Sequence, residues 1–152
     1  MHDCVKLEIH LKKIGQKTLK TVKNYLIDTN VVVRFFIRDD EAQYLQSLKW
    51  FAEAEKGKIN VAIIPIVVAE ICFVLESFYK ISRTQISEYL EVFLAEKWIQ
   101  VEDRNILLGV FDKYRLGEHF VDSFLLQKSQ TQNYHLMTFD KKLLKALRKL
   151  ES

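Results

Sequence analysis

Four acidic residues stand where the local sequence hands over from an apolar run to a helix: Asp28, Glu70, Asp122 and Asp140. Asp28 closes the run Tyr25-Leu26-Ile27, and Asp140 follows the segment His135 to Phe139. Glu70 lies one turn into Pro65-Ile66-Val67-Val68-Ala69-Glu70-Ile71, and Asp122 lies within one turn of the start of His119 to Leu126. A carboxylate next to a buried strand or an apolar helix face costs free energy when it is dehydrated and unpaired, so each needs a partner. Taken singly, each is explained by a helix cap or a salt bridge. Brought together, the four would repel one another unless protonated or neutralised by a cation. An oxygen-only ligand set favours a hard divalent ion, Mg²⁺ or Mn²⁺. Such ions activate a water, orient a scissile phosphate and stabilise charge on the attacked and leaving oxygens. No Ser or Cys nucleophile with an accompanying base is evident, and four carboxylates exceed the pair that metal-free hydrolysis uses.

Positioning these acids requires strands that end near them. Tyr25 to Ile27 reads as a buried parallel strand with a polar group at its C-terminal end. Val31 to Ile37 follows as a helical stretch, and Asp40 is placed to cap a longer helix with Ala42, Leu45, Leu48, Trp50, Phe51 and Ala54 at helical spacing. Gly57 ends it, Asn60 to Ile64 forms the second strand, and Pro65 opens the helix from about Ile66 to Tyr79. A further helix starts near Ser82 or Thr84, with Ile86, Tyr89, Leu90, Phe93 and Leu94 on one stripe. Trp98 to Val101 is a short strand, followed by helices at about Arg104 to Arg115 and His119 to Gln130. Tyr134 to Phe139 reads as another strand. Asp140 then opens the last helix, with Leu143, Leu144, Leu147 and Leu150 on its inner side. Strands alternating with helices imply crossover connections and a mostly parallel sheet covered on both faces, an α/β/α sandwich of three layers. In such sheets, sites form beyond the carboxyl ends of the strands.

Composition agrees with one domain. The chain has 152 residues, 49% hydrophobic, enough for one continuous core. Four glycines and one proline are too few turn residues for a β-sandwich or a many-stranded barrel. Residues 1–24 carry six lysines against Asp3 and Glu8, a net of +4, which leaves −1 on the remainder of a chain whose total is +3. The reading is therefore a basic N-terminal extension, 1–24, followed by a catalytic domain, 25–150. Val5 to His10 alternates as a short strand or a loose arm would. The lysines either approach a phosphate backbone or act as an ordinary solubilising segment. Cys4 and Cys72 are expected to be free thiols in a reducing compartment. No signal-peptide pattern is visible, and the apolar run Ile59 to Phe78 is broken by Asn60, Pro65, Glu70 and Glu76, so no membrane span and a cytoplasmic location are expected.

The acid-bearing motifs resemble those of the PIN-domain nucleases, in particular toxin ribonucleases of the VapC type. Leu26-Ile27-Asp28-Thr29-Asn30-Val31-Val32 is similar to the family's opening strand and first acid. Ile66 to Ile71 resembles the helix with the second, Phe120-Val121-Asp122-Ser123-Phe124 the segment with the third, and Leu136 to Lys141 the terminal strand and its acid. The resemblance spans about Tyr25 to Leu147. It implies a metal-binding core of Asp28, Glu70 and Asp122, completed by Asp140, with Asn30 and Thr138 as polar supports that orient the first and last acids. On its own residues, Asn30 is equally a helix cap. The chain departs from the family in having His119 where many members carry a further Asp, one turn before the third acid. That histidine has three open roles: reaching the site, pairing with a neighbouring carboxylate, or facing solvent. The 27 residues before Asp28 are the second departure.

A phosphodiester held beside acids needs positive charge nearby. Arg34 and Arg38 are the candidates, with Lys141, Lys142, Lys145, Arg148 and Lys149 as a second basic face that is equally an ordinary solvated helix. Tyr79, Tyr114 and Tyr134 are candidates to stack on unpaired bases. Phe73, Phe78, Tyr79, Tyr89 and Phe93 are candidates for a two-fold interface. The resemblance further implies a homodimer and, for a toxin, an antitoxin whose tail fills the groove. It points first to a metal-dependent endoribonuclease acting as a toxin. The alternatives are a PIN-type nuclease of RNA processing or DNA repair, and a nucleic-acid-binding module without catalysis, which the four acids oppose and His119 keeps open. A phosphatase of the haloacid-dehalogenase kind would need a second Asp where Asn30 stands, so that reading is rejected.

Overall fold

A computed structural model describes residues 21–150. Cys4, the Val5 to His10 alternation and most of the basic extension lie outside the described residues. Three short strands, β1 (Asn24–Leu26), β2 (Asn60–Ile63) and β3 (Ile99–Val101), form a parallel sheet in the order β1-β2-β3. Tyr25 stands opposite Val61, and Ala62 opposite Gln100. The ladders run one residue beyond the strands, through Ile27 N to Ala62 O at 2.8 Å and Glu102 N to Ile63 O at 3.2 Å. Helices make every connection: α1 (Thr29–Ile37) and α2 (Glu41–Glu55) between β1 and β2, α3 (Pro65–Ser77) and α4 (Arg83–Ala95) between β2 and β3, then α5 (Arg104–Arg115), α6 (Phe120–Thr131) and α7 (Lys141–Leu150). The fold is α/β with a parallel sheet, as the alternation of elements predicts.

Local chemistry explains the boundaries. The Asp40 carboxylate accepts from Gln43 N at 2.9 Å and caps α2, and Ser82 accepts from Gln85 N at 3.3 Å and caps α4. Gly57 adopts φ +66 just past α2, where a side chain would be strained. Pro65 occupies the first turn of α3, where its missing N–H costs nothing. The core is built on α3, whose Val68, Ile71, Cys72 and Leu75 are buried against neighbouring helices, including Leu90 and Leu94 of α4 and Leu107 and Phe111 of α5. An aromatic group extends it beneath α1: Phe35 meets Phe51 edge-on at 5.0 Å, and Phe51 meets Phe93 at 5.4 Å. Phe93 is therefore a core residue and not part of an exposed interface, because the inward stripe of α4 runs Ile86, Leu90, Phe93. Cys72 is a free, buried thiol. Among the described residues no helix is long and apolar enough to cross a membrane.

Two expectations are corrected. Residues 134–139 form no strand; Met137 and Phe139 point into solvent. The segment is tethered at both ends, by Tyr134 N bonded to Ser129 O at 3.0 Å after a left-handed Asn133, and by Leu143 buried in α7. Its β-propensity has no ladder to join, and propensity alone does not make a strand. As a consequence β1 is an edge strand and not a buried one: Tyr25 and Leu26 are exposed, Leu26 by 72%, and only Ile27 enters the core. Leu75→Ala is expected to lower stability by about 2–5 kcal/mol, whereas Leu26→Ala changes it by less than about 0.5 kcal/mol. Urea unfolding followed by circular dichroism measures both; a Leu26 loss as large as that at Leu75 would show that β1 is covered.

Candidate functional site

Helix α3 carries two opposed stripes. Val68, Ile71, Cys72 and Leu75 face the core, so Ile66, Glu70, Phe73 and Ser77, at the complementary helical spacing, face outward. Glu70 is thus exposed without being displaced from a strongly apolar helix. Thr29, itself buried, donates its Oγ1 hydrogen to Glu70 Oε2 in a short bond. Thr29 directly follows Asp28, so this bond fastens the start of α1 to α3 and brings the first two predicted acids into one neighbourhood. Asp28 occupies the cap position of α1 yet makes no capping bond with its side chain, which leaves its carboxylate open to solvent. Asn30 is exposed in the first turn of α1 and is not the cap.

Asp122, half-buried in the first turn of α6, lines two adjoining cavities. One, of about 370 Å³, lies between α6 and α3 and is lined by Ala69, Phe73, Glu76, Arg83 and His119 among others. The other, of about 700 Å³, is bounded by Gly117, His119, Asp140 and Lys142. Asp140 caps α7: its Oδ1 accepts from Lys142 N at 2.7 Å and Leu143 N at 3.0 Å, and its own N–H bonds Thr138 Oγ1 at 3.0 Å. The bond from Leu143 N, then that from Lys142 N, holds the Asp140 carboxyl below the usual aspartate range, and His119 adds to the effect. Thr138 therefore orients the backbone of the last acid. His119 sits at the cap position of α6, exposed, and close enough to Asp140 and Glu76 to favour their ionised forms.

The acids stand in a chain: Asp28 joined to Glu70 through Thr29, Asp122 across a cavity from α3, and Asp140 across the next cavity from Asp122. Among the described residues, no group of three or more His, Cys, Asp or Glu is close enough to hold a metal ion as it stands. The two arginines expected near RNA are engaged elsewhere. Arg34 pairs with Asp39 at 2.5 Å and bonds the Tyr79 hydroxyl at 2.9 Å, and its bond holds Asp39 below the usual range. Arg38 lies over the Tyr44 ring at 4.7 Å. Tyr114 is buried and cannot stack on a base, whereas Tyr134 is exposed.

Sequence reasoning missed one cluster. Glu76 accepts from Arg83 Nε at 2.8 Å and from the Tyr114 hydroxyl at 2.9 Å. Arg83 also donates to the Glu118 carbonyl at 2.8 Å and lies over the Tyr114 ring at 4.7 Å. Burial pushes the Glu76 carboxyl upward, but the bonds from Arg83 and Tyr114 outweigh it and the net shift is downward. Burial likewise pushes the Tyr114 hydroxyl and the Cys72 thiol up, which leaves Cys72 inert as a nucleophile. Glu76 breaks an apolar helix as Glu70 does, and that was the available signal; Tyr114, 38 residues away, could not be paired with it from sequence.

The molecule is a parallel α/β domain with helical crossovers and with acids near its helix starts. The family model described as PIN domain matches residues 25–149, and the chain belongs to that family. PIN domains are generally nucleases, that is, hydrolases of nucleic acids. No curated protein and no solved structure matches the chain significantly.

Because Glu76 is held below its ordinary value, its bonds contribute fully above the unfolded carboxyl range, near pH 4.3, and the contribution is lost as pH falls through the lower folded value. Tyr114→Phe is expected to cost about 1 kcal/mol at neutral pH, less than a fully buried charged bond because Glu76 is partly solvated. Urea unfolding at pH ~7 and pH ~3 checks this; a cost that does not shrink in acid would place its origin in packing.

Proposed function

We propose that this chain is a metal-dependent endoribonuclease, a toxin of the VapC kind, that uses Asp28, Glu70, Asp122 and Asp140 to hold Mg²⁺ or Mn²⁺. The observation that supports the reading is the Thr29–Glu70 bond, which fastens the residue after Asp28 to the acid on α3, a helix that shares a cleft with Asp122. The donor set suits a hard divalent ion, since all four side chains offer carboxylate oxygens. Thr29 engages only Oε2 of Glu70, and the α7 cap engages only Oδ1 of Asp140, so each keeps an oxygen for a ligand.

A bound divalent ion supplies a more acidic water and charge stabilisation at the phosphate. The chain's own residues do the rest. Thr29 and Thr138 fix the approach of Glu70 and Asp140, as oriented ligands require. The α7 lysines Lys141, Lys142 and Lys145, all exposed, offset the repulsion between acids and the RNA backbone. His119, which lines both cavities beside Asp122, is not counted as a ligand. Phe78 and Tyr89 remain exposed and provide apolar surface for a second copy. An antitoxin tail would compete with RNA for the same acids.

Purified protein is expected to cut a mixed single-stranded and structured RNA pool with Mg²⁺ or Mn²⁺ and to stop in EDTA. Asp28→Asn should lose at least about 100-fold in rate, on the scale of removing one group that stabilises a developing charge. In cells, expression should arrest growth and Asp28→Asn should relieve it. Cleavage that survives both EDTA and Asp28→Asn would overturn the metal reading, and equal arrest by the mutant would overturn the toxin reading.

A further inference from the structure

We propose that the cleft between α3 and α6 is a nucleobase subsite: it takes one unpaired base of the RNA next to the phosphate at the acids, with the base stacked on Phe73. The inference rests on the nuclease reading above and deepens it. The cleft, at about 370 Å³, falls within the range of roughly 300–1,000 Å³ in which small ligands are held. Its chemistry is that of a base pocket. Phe73 and Val121 form apolar walls, and the Glu76–Arg83 pair supplies the polar groups.

Three observations favour a base over other ligands. First, Phe73 is a large ring left 68% exposed one helical turn from Glu70 on the same face of α3, while Asp122 lines the cleft it borders. A phosphate at the acids therefore delivers its neighbouring base to Phe73. Second, the hydrogen-bonding capacity of the polar pair is incompletely used. Each Glu76 oxygen accepts one bond and can accept another, and Arg83 Nη2 has no partner among the described residues. An acceptor beside a donor suits the edge of any RNA base, each of which carries both. Third, the pair is already braced by Tyr114 and the Glu118 carbonyl, so it presents those groups without first being ordered. The net charge of the pair is near zero, which suits a neutral base and would not hold a second phosphate.

The test is the affinity of the full chain for a short single-stranded RNA, read by fluorescence anisotropy in Ca²⁺ with a gel to confirm that the RNA stays intact. A matched oligomer lacking the bases at successive positions runs alongside. Phe73→Ala is expected to weaken binding of the intact RNA about tenfold, within the range measured for single base–aromatic stacks. Phe73→Tyr should retain wild-type affinity, and one abasic position should bind wild type and Phe73→Ala alike. Equal affinity of wild type and Phe73→Ala for intact RNA would overturn the subsite. So would a tenfold loss that persists at every abasic position, with a changed oligomeric state in gel filtration, because Phe73 would then be packing against a second copy. If the wild type binds no RNA, the nuclease reading itself fails, an outcome distinct from both.

Discussion

The buried stripe of α3 constrains the placement of the rest of the molecule. With three strands pairing over so few residues, the sheet supplies little core of its own, and helix packing has to provide it. Val68, Ile71, Cys72 and Leu75 cannot be withdrawn from the interior without opening cavities on several sides. Once that face is fixed, helical periodicity leaves no choice about the other: Ile66, Glu70, Phe73 and Ser77 must face outward. Three neighbouring helices are then tied to α3 by specific bonds. Thr29 of α1 reaches Glu70, and Arg83 of α4 and Tyr114 of α5 reach Glu76. Through the Glu118 carbonyl, Arg83 also holds the loop that leads into α6 and Asp122.

Much of this order is legible in the sequence because it is local. Asp40, Ser82, Pro65 and Gly57 act through their own backbone neighbours, so their positions predict helix ends without knowledge of the tertiary fold. The parallel sheet follows from the alternation of elements. What the sequence does not show are the consequences of pairing between distant segments. Tyr134 to Phe139 has the composition of a strand, but a strand exists only where a partner's backbone meets it, and the chain on either side holds this segment away from a ladder. The exposure of β1 is the same fact seen from the other side. Phe93 was misplaced for a related reason: an aromatic on a helix stripe looks alike whether the stripe meets its own core or a second molecule.

The candidate site divides along the same line. Each acid was visible because it interrupts an apolar context, and that signal does not say which acids are structural. Hydrogen bonding separates them. Glu76 has both oxygens engaged, by Arg83 and by Tyr114, and the cost of holding it near the core is offset locally. Glu70 and Asp140 each have one oxygen engaged, and Asp28 makes no capping bond at all. A chain selected only for stability would gain by pairing those oxygens. The oxygens left open on Glu70, Asp140 and Asp28 are the ones a hard cation with a phosphate would engage.

The same comparison explains why Glu76 is a poor metal ligand and a good neighbour for a base. An ion would have to displace Arg83, whose guanidinium is also held by the Glu118 carbonyl and the Tyr114 ring, and removing one partner of such a group leaves a buried or half-buried charge uncompensated. A neutral base makes no such demand. It adds donors and acceptors to lone pairs and hydrogens that the pair leaves unused, and its ring meets Phe73 where water now does. Metal and base would thus be sorted to adjacent parts of one groove by how completely each carboxylate is already bonded.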